Sequence, residues 1–148
     1  MIFRRRVAGP QAGWTFVESI IVIGIIIVLS GTVSFSAVRY LEQARSAATR
    51  AQVNAVSLAL HAYYLDTGVY PTEPQGLAAL WEKPTLAPVP GGWTGPYLER
   101  PVGTDSWGNE LIYRRPGPAG LAFEVASYGA DGRPGGEGRD ADISSAGY

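Results

Sequence analysis

Two sets of carboxylates in this chain stand where acids need a partner. Glu18, in the stretch GWTFVE, is the only acid between Arg6 and Tyr40, and residues 19–38 after it carry no charge. A carboxylate at hydrocarbon depth costs about 3 kcal/mol on insertion scales and is normally paired. The apolar helix behind Glu18 supplies no cation, so a partner for it must come from elsewhere. The second set is Asp131, Asp140 and Asp142, in the Gly-rich tail YGADGRPGGEGRDADISSAGY. Calcium takes six to eight oxygens from carboxylates, carbonyls and water, and flexible loops hold them. On spacing alone these residues read equally as a solvated acidic loop. The D-x-[DN]-x-[DN]-G pattern of an EF-hand is absent, and GGEGRD occurs once where a calcium-binding β-helix needs stacked copies.

Other chemistry finds little support. There is no Cys, and His61 is the only His. Disulfides, thiolate nucleophiles and a His-based metal site or triad are therefore excluded or nearly so. Glu73, Glu82, Glu99 and Asp105 show no paired-carboxylate spacing, and no nucleotide-binding loop appears. The formal net charge is −1, and no basic face is clustered as a nucleic-acid binder requires. The residues point away from an enzyme.

The elements that position these acids can be read from the pattern. Residues 1–13, MIFRRRVAGPQAG, form a short basic leader broken by Gly9 and Pro10. An apolar run over 14–38 follows, long enough to span a bilayer as a helix. Arg4, Arg5 and Arg6 ahead of it place the N-terminus in the cytoplasm and the remainder outside. A signal peptide carries its cleavage site after a shorter apolar region; here the small residue Gly13 precedes the run. Cleavage after Gly13 makes Trp14 the new N-terminus and puts Glu18 at mature position five. The alternative is an uncleaved anchor with Glu18 at the interface.

The helix is expected to continue. No Pro or Gly interrupts Tyr40 to Leu65, and Ala48, Ala51, Ala55, Val56, Ala59, Leu60 and Tyr63 recur at spacings of three and four. Gly68 and Pro71 end the pattern. One helix from Trp14 to about Leu65 would be about 75 Å long at 1.5 Å per residue. Beyond it, PQGLAALWEK reads as a brief helix stopped by Pro84. NELIYRR and LAFEVAS read as a β-hairpin joined by PGPAG. The tail shows no periodicity. Tyr63, Tyr64, Tyr70, Trp81, Trp93 and Trp107 read as core or loop aromatics, and His61 as a surface residue. The fold class is α+β: a long N-terminal helix, transmembrane in its first half and amphipathic in its second, on a small antiparallel sheet with a Gly/Asp-rich loop. Residues 39–148 form the globular domain.

GWTFVE resembles the class III signal peptides of type IV pilin-like proteins. YYLDTGVYPTEPQGLAALWEKP, DSWGNELIYRRPG and SYGADGRPGGEGRDADI resemble, in order and spacing, the signatures of the major pseudopilins of type II secretion systems. Trp14, Phe16 and Val17 stand where that family has Phe, Leu and Ile. Phe35 replaces a frequent Pro, and Ser106 replaces the Pro of Asp-Pro-Trp-Gly-Asn. The resemblance implies cleavage between Gly13 and Trp14 by a prepilin peptidase, with methylation of the Trp14 amine. It implies homopolymerisation into a periplasmic filament that drives folded proteins through the outer membrane. Glu18 then pairs with a neighbouring subunit's terminal amine. It also implies one calcium, held by Asp131, Asp140 and Asp142 with the main chain of Tyr128 and Arg133. The implied partners are membrane lipid, an inner-membrane assembly platform and other pseudopilins, with no nucleic acid. The implied location is the bacterial inner membrane, single-pass, with the C-terminal domain periplasmic. Two other readings are a minor pilin and a monomeric membrane-tethered periplasmic calcium-binding module. Glu18 separates them, since a monomeric anchor has no use for a buried unpaired acid.

Overall fold

The computed structural model describes residues 13–147, without the side chains of 31–36. The expected leader, apart from Gly13, lies outside the described residues. The chain divides into two compact units between Arg39 and Tyr40, each described by itself below.

Helix α1, Phe16–Thr67, has 52 residues and its backbone is helical throughout. Thr15 caps its start: Glu18 N–H donates to Thr15 Oγ1 at 3.2 Å, and Ser19 N–H donates to the Thr15 carbonyl at 3.1 Å. Thr15 and Glu18 hold the Thr-x-x-Glu spacing of a capping box. Up to Leu29 the apolar side chains point outward on every side, among them Ile20, Ile21, Ile23, Ile25, Ile26 and Ile27. Among the described residues, no helix is long and apolar enough to cross a membrane.

In the second unit the C-terminal part of α1 supplies one wall of the core. Val53, Val56, Ala59, Leu60 and Tyr63 are buried there against Ala79, Leu80, Phe123, Val125 and Ile143. Full burial of a side chain such as Leu60 contributes roughly 1.5–3 kcal/mol. The inward stripe therefore differs from the expected one. Ala48, Ala51 and Ala55 are exposed, and Thr49 and Val53 take the inside positions. Thr49 is fully buried because its hydroxyl finds a partner in Ser106, so a polar residue sits where the pattern suggested Ala. The helix ends as expected. Gly68, at φ 74°, donates its N–H to the Tyr64 carbonyl at 2.8 Å, the left-handed stop that glycine accommodates.

The sheet is antiparallel, with β1 (Ile112–Arg114), β2 (Glu124–Ser127) and β3 (Ile143–Ser144) in the order β1-β2-β3. The hairpin β1–β2 is the one expected from NELIYRR and LAFEVAS, with Ile112 opposite Ala126 and Arg114 opposite Glu124. Gly117 in its loop cannot carry a side chain, since a Cβ would lie 2.5 Å from the Phe123 carbonyl oxygen. Central strand β2 is buried throughout. Its Glu124 carboxylate is satisfied from both neighbours: Arg114 Nη1 donates at 3.0 Å and Ser144 Oγ at 2.7 Å. The stretch PQGLAALWEK makes only a 3-10 turn, Leu77–Leu80, capped by no side chain. Trp93 closes over this turn, its Nε1–H donating to the Ala79 carbonyl at 3.0 Å.

Candidate functional site

The first candidate lies at the start of α1. Gly13, Trp14 and Thr15 are non-helical and exposed, and nothing lies within 4 Å of a Cβ built on Gly13. The bond between Gly13 and Trp14 is thus accessible, as a protease site must be. Glu18 is in the first helical turn, where its charge opposes the positive end of the helix dipole. Its backbone N–H is used by the Thr15 cap. Its carboxylate is exposed, and among the described residues no cation lies against it.

The second candidate is the loop 128–142. Arg133 N–H donates to Asp131 Oδ1 at 3.1 Å, and Arg139 Nε–H to Asp140 Oδ1 at 3.1 Å. Gly135 N–H donates to Asp142 Oδ2 at 3.0 Å, while Asp142 Oδ1 is buried with no hydrogen-bond partner. The Ala130 N–H holds the Arg139 carbonyl at 3.1 Å, so the two arms of the loop are tied together. Gly129 and Gly136, at φ 63° and 95°, flank the Asp140 carbonyl; a Cβ on them would lie 2.7 and 2.6 Å from its oxygen. The loop can close this tightly only with glycine at both places.

Among the described residues, no group of three His, Cys, Asp or Glu side chains stands close enough to hold a metal ion. Asp131, Asp140 and Asp142 share one loop, but Asp131 and Asp140 are turned to nitrogen donors beside them. The donor set is nonetheless that of a hard divalent cation: carboxylates and main-chain carbonyls in a glycine-rich loop. Asp142 Oδ1, buried and without a hydrogen-bond partner, is an acceptor that such an ion would satisfy. A buried acceptor without a partner otherwise costs about 1–3 kcal/mol.

Residues outside the three aspartates seat this loop. Asp105, which has no paired-carboxylate spacing, is buried; its Oδ1 accepts from Trp107 and Asn109 N–H at 2.9 Å each, and its Oδ2 from Ser127 Oγ at 2.6 Å. Asn109 Nδ2 donates to the Gly129 carbonyl at 2.8 Å. The Asp-x-x-x-Asn spacing with an intervening Gly signals such a turn, but not what it will hold. On the sheet side of the loop, Arg114 bonds the Tyr128 hydroxyl as well as Glu124. The Glu124 hydrogen bond, then Tyr128, holds the Arg114 guanidinium pKa above its usual value. Burial pushes the neighbouring Tyr113 hydroxyl up to about 12, and it remains protonated to donate to the Pro71 carbonyl at 2.8 Å. His61, expected at the surface, is exposed and hydrogen-bonded through Nδ1 to Tyr70 at 3.0 Å.

Comparison with known proteins gives a consistent picture. Residues 36–146 match the family described as type II secretion system, protein G. The type II secretion system core protein G of Pseudomonas aeruginosa is 36% identical over 135 residues, covering 91% of this chain and 94% of the relative. That of Vibrio cholerae is 39% identical over 136 residues, covering 91% of each. Among solved structures, the major pseudopilin of the type 2 secretion system of enterohaemorrhagic Escherichia coli is similar. It superposes with a TM-score of 0.61 at 33% identity, over 72% of this chain and 90% of that one.

Proposed function

The chain belongs to the type II secretion system protein G family, and from that premise we propose that it is the structural subunit of a pseudopilus, a filament that drives folded proteins across the outer membrane. The observation that carries this reading is helix α1. One uninterrupted helix, Phe16–Thr67, begins at an exposed Gly-Trp junction with an acid in its first turn and ends as a wall of a small α+β core. A filament subunit needs both parts: an apolar helix to bundle with other copies and a folded head to space them. The protein catalyses no reaction, and nucleotide hydrolysis and leader cleavage fall to other components.

The finer features follow from the same reading. Residues 14–38 lie in the inner membrane before assembly and the head is periplasmic. Support comes from the charge-free run 19–38 and from the outward apolar side chains on all sides of α1 up to Leu29. The assembly platform and other pseudopilins are the partners. Asp131, Asp140 and Asp142, with main-chain oxygens at Tyr128 and Arg133, hold one calcium, which when bound supplies the positive charge that lets three carboxylates converge. Asp142 is the member already aimed inward, with Oδ1 buried. Asp131 and Asp140 must exchange Arg133 N–H and Arg139 for the ion.

Processing gives the first test. Intact-mass and N-terminal peptide spectrometry on chain extracted from host membranes should show a start at Trp14 with one added methyl group. A chain that still carries Arg4–Arg6 contradicts the reading, because a leader left in place blocks the terminal amine that Glu18 is to meet.

A further inference from the structure

We infer that Asn109 is a positioning residue for the carboxylate loop, and that through it cation occupancy of the loop is transmitted to the turn 105–109 and to Thr49 of α1. This rests on the reading of 128–142 as a calcium loop. The geometry is a continuous set of short contacts. The Asn109 side-chain amide donates to the Gly129 carbonyl at 2.8 Å. Its Oδ1 stands against Gly132, where an added Cβ would lie 3.0 Å away. The one amide therefore bonds one end of 129–132, the segment that contains Asp131, and packs against the other.

Asn109 is itself fixed. Its N–H donates to Asp105 Oδ1 at 2.9 Å, and its carbonyl accepts the Asp105 N–H at 2.8 Å. A second path runs parallel: Ser127 Oγ donates to Asp105 Oδ2 at 2.6 Å and accepts from Gly129 N–H at 3.2 Å. On its far side the turn grips α1. Ser106 N–H donates to Thr49 Oγ1 at 3.2 Å, and the Thr49 hydroxyl donates to Ser106 Oγ at 3.0 Å. Trp107 Nε1–H donates to Glu42 Oε2 at 3.1 Å. Because Asn109 is neutral, it adds no Coulomb attraction for a cation. Its effect is to limit where Asp131 can be, so that less ordering is left for the metal to impose. Partners hydrogen-bonded to the ligands themselves are typically worth on the order of 10–100-fold in metal affinity, and Asn109 acts on the backbone that carries one of those ligands.

The test uses the full chain in detergent, titrated with calcium chloride by calorimetry and followed by amide hydrogen exchange. In the unaltered protein, calcium should slow exchange in 128–142 and also in 105–109. Asn109→Ala and the similarly sized, uncharged Asn109→Leu should weaken calcium binding by roughly 10–100-fold. At saturating calcium they should keep the slowing in 128–142 and show less of it in 105–109, the remainder being carried by the Ser127–Asp105 contact. Unchanged exchange in β2 without calcium certifies that each variant is folded. Calcium affinity and slowing in 105–109 equal to those of the unaltered chain in either folded variant overturn this inference alone. No response of the unaltered chain to calcium overturns it together with the calcium reading.

Discussion

Glu18→Ala is expected to abolish filament assembly and secretion while leaving membrane insertion, cleavage after Gly13 and the fold of the head intact. Within one chain Glu18 does little. It adds its charge to the first turn of α1, worth about 0.3–1 kcal/mol where exposed. The cap itself is made by Thr15 Oγ1 to the Glu18 backbone N–H, which alanine retains. The large effect arises between chains. Once Trp14 carries a free amine, a neighbour staggered along a filament axis can bring that amine to Glu18 in a low-dielectric bundle. Removing one member of a buried ion pair costs about 3–5 kcal/mol because the other charge is left alone. That cost recurs at every subunit. Glu18→Gln separates charge from shape: it keeps the length and the capping turn, yet assembly should still fail. Glu18→Asp, one methylene shorter, should keep part of the function. Normal secretion by Glu18→Ala, measured as extracellular against periplasmic substrate, would reduce Glu18 to an interfacial residue.

Calcium removal has the second largest expected effect. Full chain in detergent, melted with chelator and then with calcium at about 100 times its Kd, should differ by about 2.7 kcal/mol through preferential binding to the folded state. For a head of this size that is on the order of 10 °C in Tm. Equimolar magnesium should not restore it, since magnesium demands a small octahedral shell and keeps its water. Asp142→Ala should remove the difference. It deletes the one loop oxygen that is buried without a partner, so without calcium the variant loses only the Gly135 N–H contact. Superimposable melting curves with and without calcium would make 128–142 a solvated loop.

The parts of this architecture governed by local rules were legible in the sequence. The end of α1 follows from Gly68 and Pro71, whose backbone preferences act residue by residue. The β1–β2 hairpin follows from β-favouring runs either side of PGPAG. What was misjudged depends on partners distant in the chain. Thr49 faces inward because of Ser106, 57 residues away, and no helical periodicity reveals that a hydroxyl will be satisfied. Strand β3, Ile143–Ser144, is too short to show alternation and exists because β2 offers it an edge. PQGLAALWEK makes only a 3-10 turn, although its composition favours helix.

For the site, residue type was informative and arrangement was not. Asp131, Asp140 and Asp142 are visible as acids in a glycine-rich stretch, and a ligand role for them is what the family resemblance implies, not what their spacing shows. That Asp142 alone has a buried free oxygen, and that Asn109 and Asp105 anchor the loop, required the fold. Glu18 stood out because an acid beside a charge-free run is costly. The Thr15 cap that shares its turn has the Thr-x-x-Glu spacing of a capping box.

The central claim is that this chain polymerises through its processed N-terminus. The most direct measurement is to raise its expression together with its secretion apparatus, shear filaments from the cell surface, and analyse them by helical image reconstruction and N-terminal mass spectrometry. The expected result is a filament built from repeated copies of this chain, each beginning at Trp14, with the Glu18 carboxylate of one copy within ion-pair distance of a neighbour's amine. Recovery of the chain only as a membrane-bound monomer, with secretion unaffected by its deletion, would contradict the account.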